Sequence, residues 1–239
     1  FVFISTIADL LYWSTDKVLL GAMVSSSAVA VYNIGATFNG ILQNMSSAIS
    51  GVFAPRVNQF VFAKHDINDF STLMIRVGRI QYLIVSLILS GFIVFGRSFI
   101  ILWAGQEYEA AYEVALLTMI PLAVPLIQNI AFTTITAQNR HQFRSVVYVI
   151  LAVLNVLGTY LLIPHYGIIG AALCTCAVFL IGHGLTMNWF YYRKIGLDIP
   201  GFWKNILKMS IVPVGLILIA LPLRSHVNVE LSLLNLFAE

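Results

Sequence analysis

The fold class is decided by the stretch SVVYVILAVLNVLGTYLLIPHYGIIGAALCTCAVFLIGHGLTMNWFYY, residues Ser145–Tyr192. It contains no Asp, Glu, Lys or Arg, and it is more than twice as long as the roughly 20 residues that cross a bilayer as a helix. The turn PHYG divides it, because proline and glycine interrupt helices. The stretch therefore predicts two transmembrane helices, about Ser145–Ile163 and Gly167–Tyr192, joined by a short turn.

The composition of the whole chain agrees with this prediction. Of 239 residues, 59% are hydrophobic and 10% are charged, and the mean hydropathy is +0.90. Soluble domains have about 45–50% apolar and about 25% charged residues, which excludes a soluble enzyme. The 13 Lys and Arg against 10 Asp and Glu are spread along the chain, whereas a nucleic-acid binder concentrates its basic residues. We expect an all-α polytopic membrane protein that binds no nucleic acid.

Five further spans follow from the other long uncharged stretches. They are predicted at about Phe1–Val24, Ala28–Ala54, Ile80–Trp103, Ala110–Ala137 and Asn205–Leu223, which makes about seven in total. Asp69–Arg79 reads as a separate amphipathic surface helix, with Phe70, Leu73, Met74 and Val77 on its apolar face. Pro121, Pro125 and Pro213 predict kinks inside their spans, because proline removes a backbone donor.

Lysine and arginine alternate between the two sides of the predicted bundle. Ten lie in every second connection, namely Arg56, Lys64, Arg76, Arg79, Arg140, Arg144, Arg193, Lys194, Lys204 and Lys208. The other connections hold only Arg97 and Arg224. The positive-inside rule then places the ten in the cytoplasm.

Charged residues within the first span require a reason. A charge at membrane depth costs about 2.5–3.5 kcal/mol on insertion scales, and this span carries Asp9, Asp16 and Lys17. Asp9, Tyr12 and Asp16 share one helical face, with Trp13 beside it. This pattern favours a face that lines water or substrate, although one such charge could form an ion pair with a neighbouring helix and Lys17 could extend to the membrane surface.

The second span carries two polar stripes. Tyr32, Asn39, Gln43, Ser46 and Ser50 form one, and Asn33, Thr37, Asn44 and Ser47 form the other. Such residues also hold transmembrane helices together, and we expect packing to explain about half of them. The predicted cavity residues are Asp9, Tyr12, Trp13, Asp16, Lys17, Asn39, Gln43, Gln128 and Asn129. A cytoplasmic basic rim is predicted at Arg56, Arg76, Arg79, Arg140 and Arg144.

The sequence shows no sign of catalytic, metal or cofactor chemistry. Cys174 and Cys176 lack further ligands at metal-binding spacing, and His183 reads as a packed histidine. No nucleotide-binding, zinc-protease or serine-hydrolase motif occurs. We therefore expect no enzyme and no cofactor.

Several motifs resemble the C-terminal half of oligosaccharide and polysaccharide flippases of the multidrug/oligosaccharidyl-lipid/polysaccharide exporter superfamily. They are STDKVLLG at Ser14–Gly21, VAVYNIG at Val29–Gly35, APRV at Ala54–Val57, GQEYEAAYEVALLTMIPL at Gly105–Leu122 and TAQNRHQFRSVVYVILAVLNVLGTYLLIPHYGIIGAAL at Thr136–Leu173. The resemblance implies two six-helix lobes that alternate access around a central cavity. Residues 1–192 resemble the second lobe, and residues 193–239 resemble a cytoplasmic connection, an additional helix of an extra pair and a truncated tail. Since the chain opens on Phe1 inside an apolar run, we expect an N-terminal lobe upstream.

The resemblance also implies a function in the cytoplasmic membrane of a prokaryote. Its substrate would be a polyprenyl-diphosphate-linked oligosaccharide, its surroundings membrane lipid, and its coupling ion H⁺ or Na⁺. This lobe is expected to supply mainly a glycan-facing wall, with most anion binding in the missing lobe.

Three alternatives remain open. In a multidrug antiporter, Asp9 or Asp16 would bind H⁺ or Na⁺ and a cationic drug. A non-transporting membrane assembly subunit would not need carboxylates that face water. A membrane glycosyltransferase is least favoured, because no acidic cluster lies beside a large soluble loop.

Overall fold

The computed structural model describes residues 14–63, 65–138 and 142–224, which are almost entirely helical and contain no strand. The helices are α1 (residues 14–23), α2 (Ser26–Phe62), α3 (Ile67–Ala104), α4 (Ala111–Ile127), α5 (Asn129–Ala137), α6 (Gln142–Phe179), α7 (Asn188–Phe190) and α8 (Ile199–Arg224). The predicted all-α class is confirmed. Asp9, Tyr12, Trp13, Lys64 and Arg140 lie outside the described residues.

Within the described part of the chain, three helical stretches are long and apolar enough to cross a membrane. They are Ile67–Ala104, Gln142–Ile195 and Ile199–Pro222, and the bent pair α4–α5 makes a fourth if it is one span. The 37-residue α2 is not among them, and we attribute this to its polar stripes. These spans agree with a helical membrane bundle, while the number seven stays a prediction.

The stretch that decides the fold forms a helical hairpin. Gly167 has φ 56° and ψ −131°, and it separates an arm of residues 142–166, named α6a, from an arm of residues 168–195, named α6b. Glycine adopts this positive φ without steric cost. Two π-helical segments, Leu180–Met187 and Tyr191–Ile195, belong to α6b and flank α7. The predicted turn at PHYG is confirmed.

Small residues let the two arms pack closely. The Cys174 Sγ atom lies 2.5 Å from where a side chain on Gly158 would begin, and Gly182 faces Leu151 in the same way. The Cys174 thiol also contacts the Asn155 carbonyl oxygen at 3.5 Å. The Gly158–Cys174 and Leu151–Gly182 contacts join residues about equally far from Gly167, so the arms are antiparallel.

Two sequence-based boundaries are wrong. The apolar face predicted within Asp69–Arg79 is indeed buried, but it belongs to α3 and not to a separate surface helix. The Asp66 carboxylate accepts a 2.7 Å hydrogen bond from the Ile67 N–H at the start of α3, and the helix continues to Ala104 because no residue in it breaks helical geometry. α2 likewise passes Ala54 and Pro55 and ends at Phe62.

The proline kinks also differ from the prediction. α4 runs through Pro121 and Pro125, and the 49° bend lies at Gln128. Gln128 has φ −102° and ψ 15°, and its side-chain amide donates a 2.7 Å hydrogen bond to the Asn188 Oδ1 atom of α7. The bend is therefore tied to a contact between helices. α8 continues without interruption through Pro213.

The outside of the bundle is apolar on α6a and α8. Their exposed side chains include Val153, Leu154, Leu157, Leu161, Leu207, Ile211, Val212, Leu218 and Ile219. Contact with water would cost about 25 cal/mol for each Å² of this apolar surface. These two helices therefore present a lipid-facing side.

Gly78 allows the closest approach between α3 and its neighbours, and it supplies a test of the packing. A Cβ atom there would lie 2.8 Å from the Ile127 carbonyl oxygen and would meet the Phe202 ring. Such overpacking costs about 1–3 kcal/mol, so we expect Gly78→Ala to lower the thermal midpoint in detergent by roughly 2–10 °C. Gly91→Ala on the same helix meets no atom within 4 Å and should leave the midpoint unchanged or slightly raised. Equal midpoints for the two variants would contradict the described packing.

Candidate functional site

The Asp16 carboxylate accepts four hydrogen bonds from side chains on three other helical segments. Its Oδ2 atom accepts from the Tyr32 hydroxyl of α2 at 2.5 Å and from the Thr175 hydroxyl of α6b at 2.6 Å. Its Oδ1 atom accepts from the Thr159 hydroxyl at 3.1 Å and the Asn155 amide at 3.2 Å, both on α6a. Asp16 itself is only 2% exposed. We call these five residues the Asp16 cage.

The cage lies at one depth in the bundle. Asp16 and Tyr32 are nine and seven residues from the turn at Ser25, while Thr159 and Thr175 are each eight residues from the turn at Gly167. At about 1.5 Å per residue these offsets are roughly 11–14 Å along the helices. If these turns lie at a membrane surface, such offsets place the cage within the approximately 30 Å hydrocarbon core of a bilayer.

No cation pairs with Asp16 among the residues that the structure describes. The ion pairs in these ranges are His65–Asp69 and Arg97–Glu109, and Lys17 makes none. A buried carboxylate without a counter-ion is costly unless hydrogen bonds satisfy it. The four neutral donors fulfil that condition and leave the negative charge uncompensated.

The chemistry of the cage suits a proton or a small cation. Carboxylate, hydroxyl and amide oxygens are the donors that hard cations prefer. Among the described residues no group of three or more His, Cys, Asp or Glu could hold a metal ion, so a transition-metal centre has no support there.

Two cavities lie along α2, one beside the cage and one beyond it. The Asp16 cavity, of about 160 Å³, is lined by Asp16, Lys17, Tyr32, Ala36, Asn39, Gly40, Gln43 and Thr175. The Arg144 cavity, of about 320 Å³, is lined by residues of α2, α4, α5, α6a and α6b and includes Gln43, Gln128, Asn129, Arg144 and His183. Gln43 lines both, so they adjoin along α2.

The structure separates the predicted cavity residues into two groups. Lys17, Gln43 and Asn129 line the cavities, and their side chains have no hydrogen-bond partner in the described ranges. Asn39 and Gln128 also line the cavities, but their amides bond to other helices, Asn39 to Thr118 at 3.0 Å and Gln128 to Asn188. These two amides join helices, as the packing interpretation of polar stripes predicts.

The predicted basic rim is also divided. Arg56, Arg76 and Arg79 are exposed and line neither cavity. Arg144 differs, because its half-buried guanidinium group forms part of the wall of the Arg144 cavity.

Sequence reasoning missed part of the cage. From the sequence, Asn155 and Thr159 predict only contacts between helices, and no pattern marks Thr175. The signal was present in the i, i+4 spacing of Asn155 and Thr159 and in the hairpin, which places Thr175 opposite them. What the sequence lacked was the position of Asp16 relative to the hairpin.

Apart from Ser47, which lines the Arg144 cavity, the second polar stripe of α2 points away from the rest of the described bundle. Asn33, Thr37, Asn44 and Ser47 are exposed, and the Asn33 and Asn44 amides bond to no described residue. Only the Thr37 hydroxyl is satisfied, by the Asn33 carbonyl oxygen at 2.9 Å. This surface contrasts with the apolar exterior of α6a and α8.

Comparison with known proteins gives one similarity. The chain is 23% identical over 201 residues to a Haloferax volcanii protein named "Probable low-salt glycan biosynthesis flippase Agl15". The aligned region covers 81% of this chain and 42% of that protein, so the chain spans less than half of the relative. No family model and no solved structure matches. The described structure is that of a helical membrane protein, and the chain is similar to part of a protein named as a glycan flippase.

Proposed function

We propose that this chain is the second lobe of a flippase that moves a polyprenyl-diphosphate-linked oligosaccharide across the cytoplasmic membrane of a prokaryote. The observation that carries the proposal is the exposed polar stripe of α2. The name of the Haloferax relative supports a glycan as cargo. In this proposal, the part of that relative which the chain does not cover corresponds to the first lobe.

The exposed stripe needs water or another polar surface. Unpaired amides within hydrocarbon cost several kcal/mol each, and Thr37 lies about 18 Å along α2 from Ser25. A central cavity between two lobes provides the water and places these amides next to a glycan. Gln43 and Asn129 extend the same polar surface into the lobe.

Cysteine labelling tests whether the stripe faces water. We expect Thr37→Cys, in a background with Cys174 and Cys176 replaced by alanine, to react with a membrane-impermeant maleimide. Leu157→Cys is the matched control, since Leu157 is 56% exposed on the apolar side of α6a and about 15 Å along the helix from Gly167. It should stay unlabelled, because a thiol in lipid does not ionise. If both positions react equally, the stripe does not line a distinct aqueous cavity.

The Asp16 cage gives the transporter a means of ion coupling. Binding of H⁺ or Na⁺ would neutralise the buried carboxylate, and an ion shifts a conformational equilibrium only if it binds one state better. The cage joins α1, α2 and both arms of the α6 hairpin, so any movement between these helices changes the donors around Asp16. Ion binding and helix packing are coupled through this geometry.

Substitution of Asp16 tests its role in transport. In the complete protein reconstituted in vesicles, we expect Asp16→Asn to reduce flipping of a fluorescent lipid-linked oligosaccharide at least about tenfold, a change of roughly 1.4 kcal/mol. Asparagine keeps the side-chain volume but cannot carry the charge. Asp9→Ala tests the other predicted carboxylate, and the exposed Glu113→Gln is the control. If the Asp9→Ala and Asp16→Asn variants both flip the substrate at the wild-type rate, the assignment of these two carboxylates to transport is wrong.

Ion gradients identify the coupling ion. An imposed pH or Na⁺ gradient should accelerate flipping by the wild-type protein, and Asp16→Asn should no longer respond to that gradient. The reason is that the asparagine side chain does not ionise and therefore cannot bind and release the coupling ion as a carboxylate does. If neither gradient changes the flipping rate, Asp16 has no role in ion coupling. The flippase proposal itself is not contradicted by that result.

The same vesicles distinguish the alternatives. A multidrug antiporter would accumulate a cationic dye against its gradient and would not move the glycan. A non-transporting subunit would do neither. The Asp16 carboxylate is occupied by four donors, which favours a small ion over a drug as its partner.

A further inference from the structure

Arg144 is held between two aromatic rings at the start of α6a. Its guanidinium carbon lies 3.8 Å from the centre of the Phe132 ring of α5 and 4.2 Å from the centre of the Tyr148 ring. Both contacts are of the cation–π type. Stacked rings occupy the faces of a guanidinium group and leave its N–H donors, which lie in the plane, free to bind an anion.

These donors have no partner in the part of the chain that the structure describes. No hydrogen bond or ion pair of the Arg144 side chain occurs there, whereas Arg97 pairs with Glu109. The Arg144 side chain is half-buried, and a charged group removed from water requires compensation. The Arg144 donors are therefore available to a ligand that enters the cavity.

The surroundings of Arg144 fit an anion with several oxygen atoms. The side chains of Gln43, Asn129 and His183 line the same cavity, and none of them bonds to a described residue. No Asp or Glu is among the lining residues. At about 320 Å³ the cavity falls within the ~300–1,000 Å³ range of small-molecule sites.

We propose that the Arg144 cavity is a binding site for a phosphate-ester anion. This inference rests on the proposed function, because the diphosphate of the lipid-linked substrate is then its natural occupant. Arginine suits phosphate through its planar, bidentate donors. A phospholipid headgroup presents the same chemistry and is the other source to be distinguished.

The position of the cavity agrees with substrate loading. Arg144 begins α6a beside the basic connection that the positive-inside rule places in the cytoplasm. The cavity is bordered by α2 and both arms of α6, which also supply the cage donors Tyr32, Asn155, Thr159 and Thr175. An anion at Arg144 and an ion at Asp16 therefore act on the same helices.

Binding measurements on the complete purified protein in detergent test the proposal. The probes are inorganic pyrophosphate and polyprenyl diphosphate, measured by isothermal titration calorimetry. We expect Arg144→Gln to raise the Kd about 10- to 100-fold, since charge-assisted hydrogen bonds are lost. Arg144→Lys should raise it less, because the charge remains while the planar donor geometry is lost.

Two further variants guard against misfolding and unspecific charge effects. Asn129→Ala removes a side-chain amide that bonds to no described residue, and it should weaken binding several-fold without lowering the thermal midpoint. Arg193→Gln is the matched control, because Arg193 is exposed, lies 5.5 Å from the Tyr192 ring and is outside the cavity. Its Kd should equal that of the wild type.

The outcomes separate this inference from the proposed function. Binding that is equally strong in Arg144→Gln and wild type overturns the anion site, even if glycan flipping is intact. Arg144-dependent binding in a protein that flips no glycan upholds the site and contradicts the flippase. If nanodiscs with phosphatidylglycerol abolish pyrophosphate binding and neutral nanodiscs do not, the phosphate-ester site is upheld with a phospholipid as its occupant.

Discussion

A carboxylate buried at membrane depth is the constraint on which the arrangement of these helices depends. Asp16 has no counter-ion in the described structure, so each of its lone pairs must find a neutral donor. No single neighbouring helix can supply four donors to one carboxylate. Tyr32 from α2, Asn155 and Thr159 from α6a and Thr175 from α6b together do so, and their convergence fixes the relative positions of these helices.

The α6 hairpin makes this convergence possible. Its arms must lie close enough for Thr159 and Thr175 to reach the same side chain, and Gly158 opposite Cys174 provides that proximity. Gly167 supplies the turn by adopting a backbone conformation that other residues rarely take. The most apolar stretch of the chain thus supplies three of the polar groups that bind Asp16, namely Asn155, Thr159 and Thr175.

The sequence predicted the class of fold better than the site. Uncharged stretches and the turns at Ser25 and PHYG located the helices, since helix length and hydropathy are local properties. Whether the amide of a cavity residue such as Asn39 also joins Thr118 depends on how two helices rotate about their axes, which no local pattern records. The same limit explains Arg144, predicted as part of a basic rim and found in a cavity wall. Its aromatic neighbour Phe132 lies on another helix, α5.

The two charged sites, the Asp16 cage and the Arg144 cavity, contain side chains of opposite charge type. Among the described residues, Asp16 contacts neutral donors and Arg144 contacts two aromatic rings. Gln43 borders both cavities, and α2 and the α6 hairpin contribute to both. A lobe that binds a cation at one site and an anion at the other can use each ligand to change the helix packing felt by the other. Each ligand would then change the affinity for the other by the same factor.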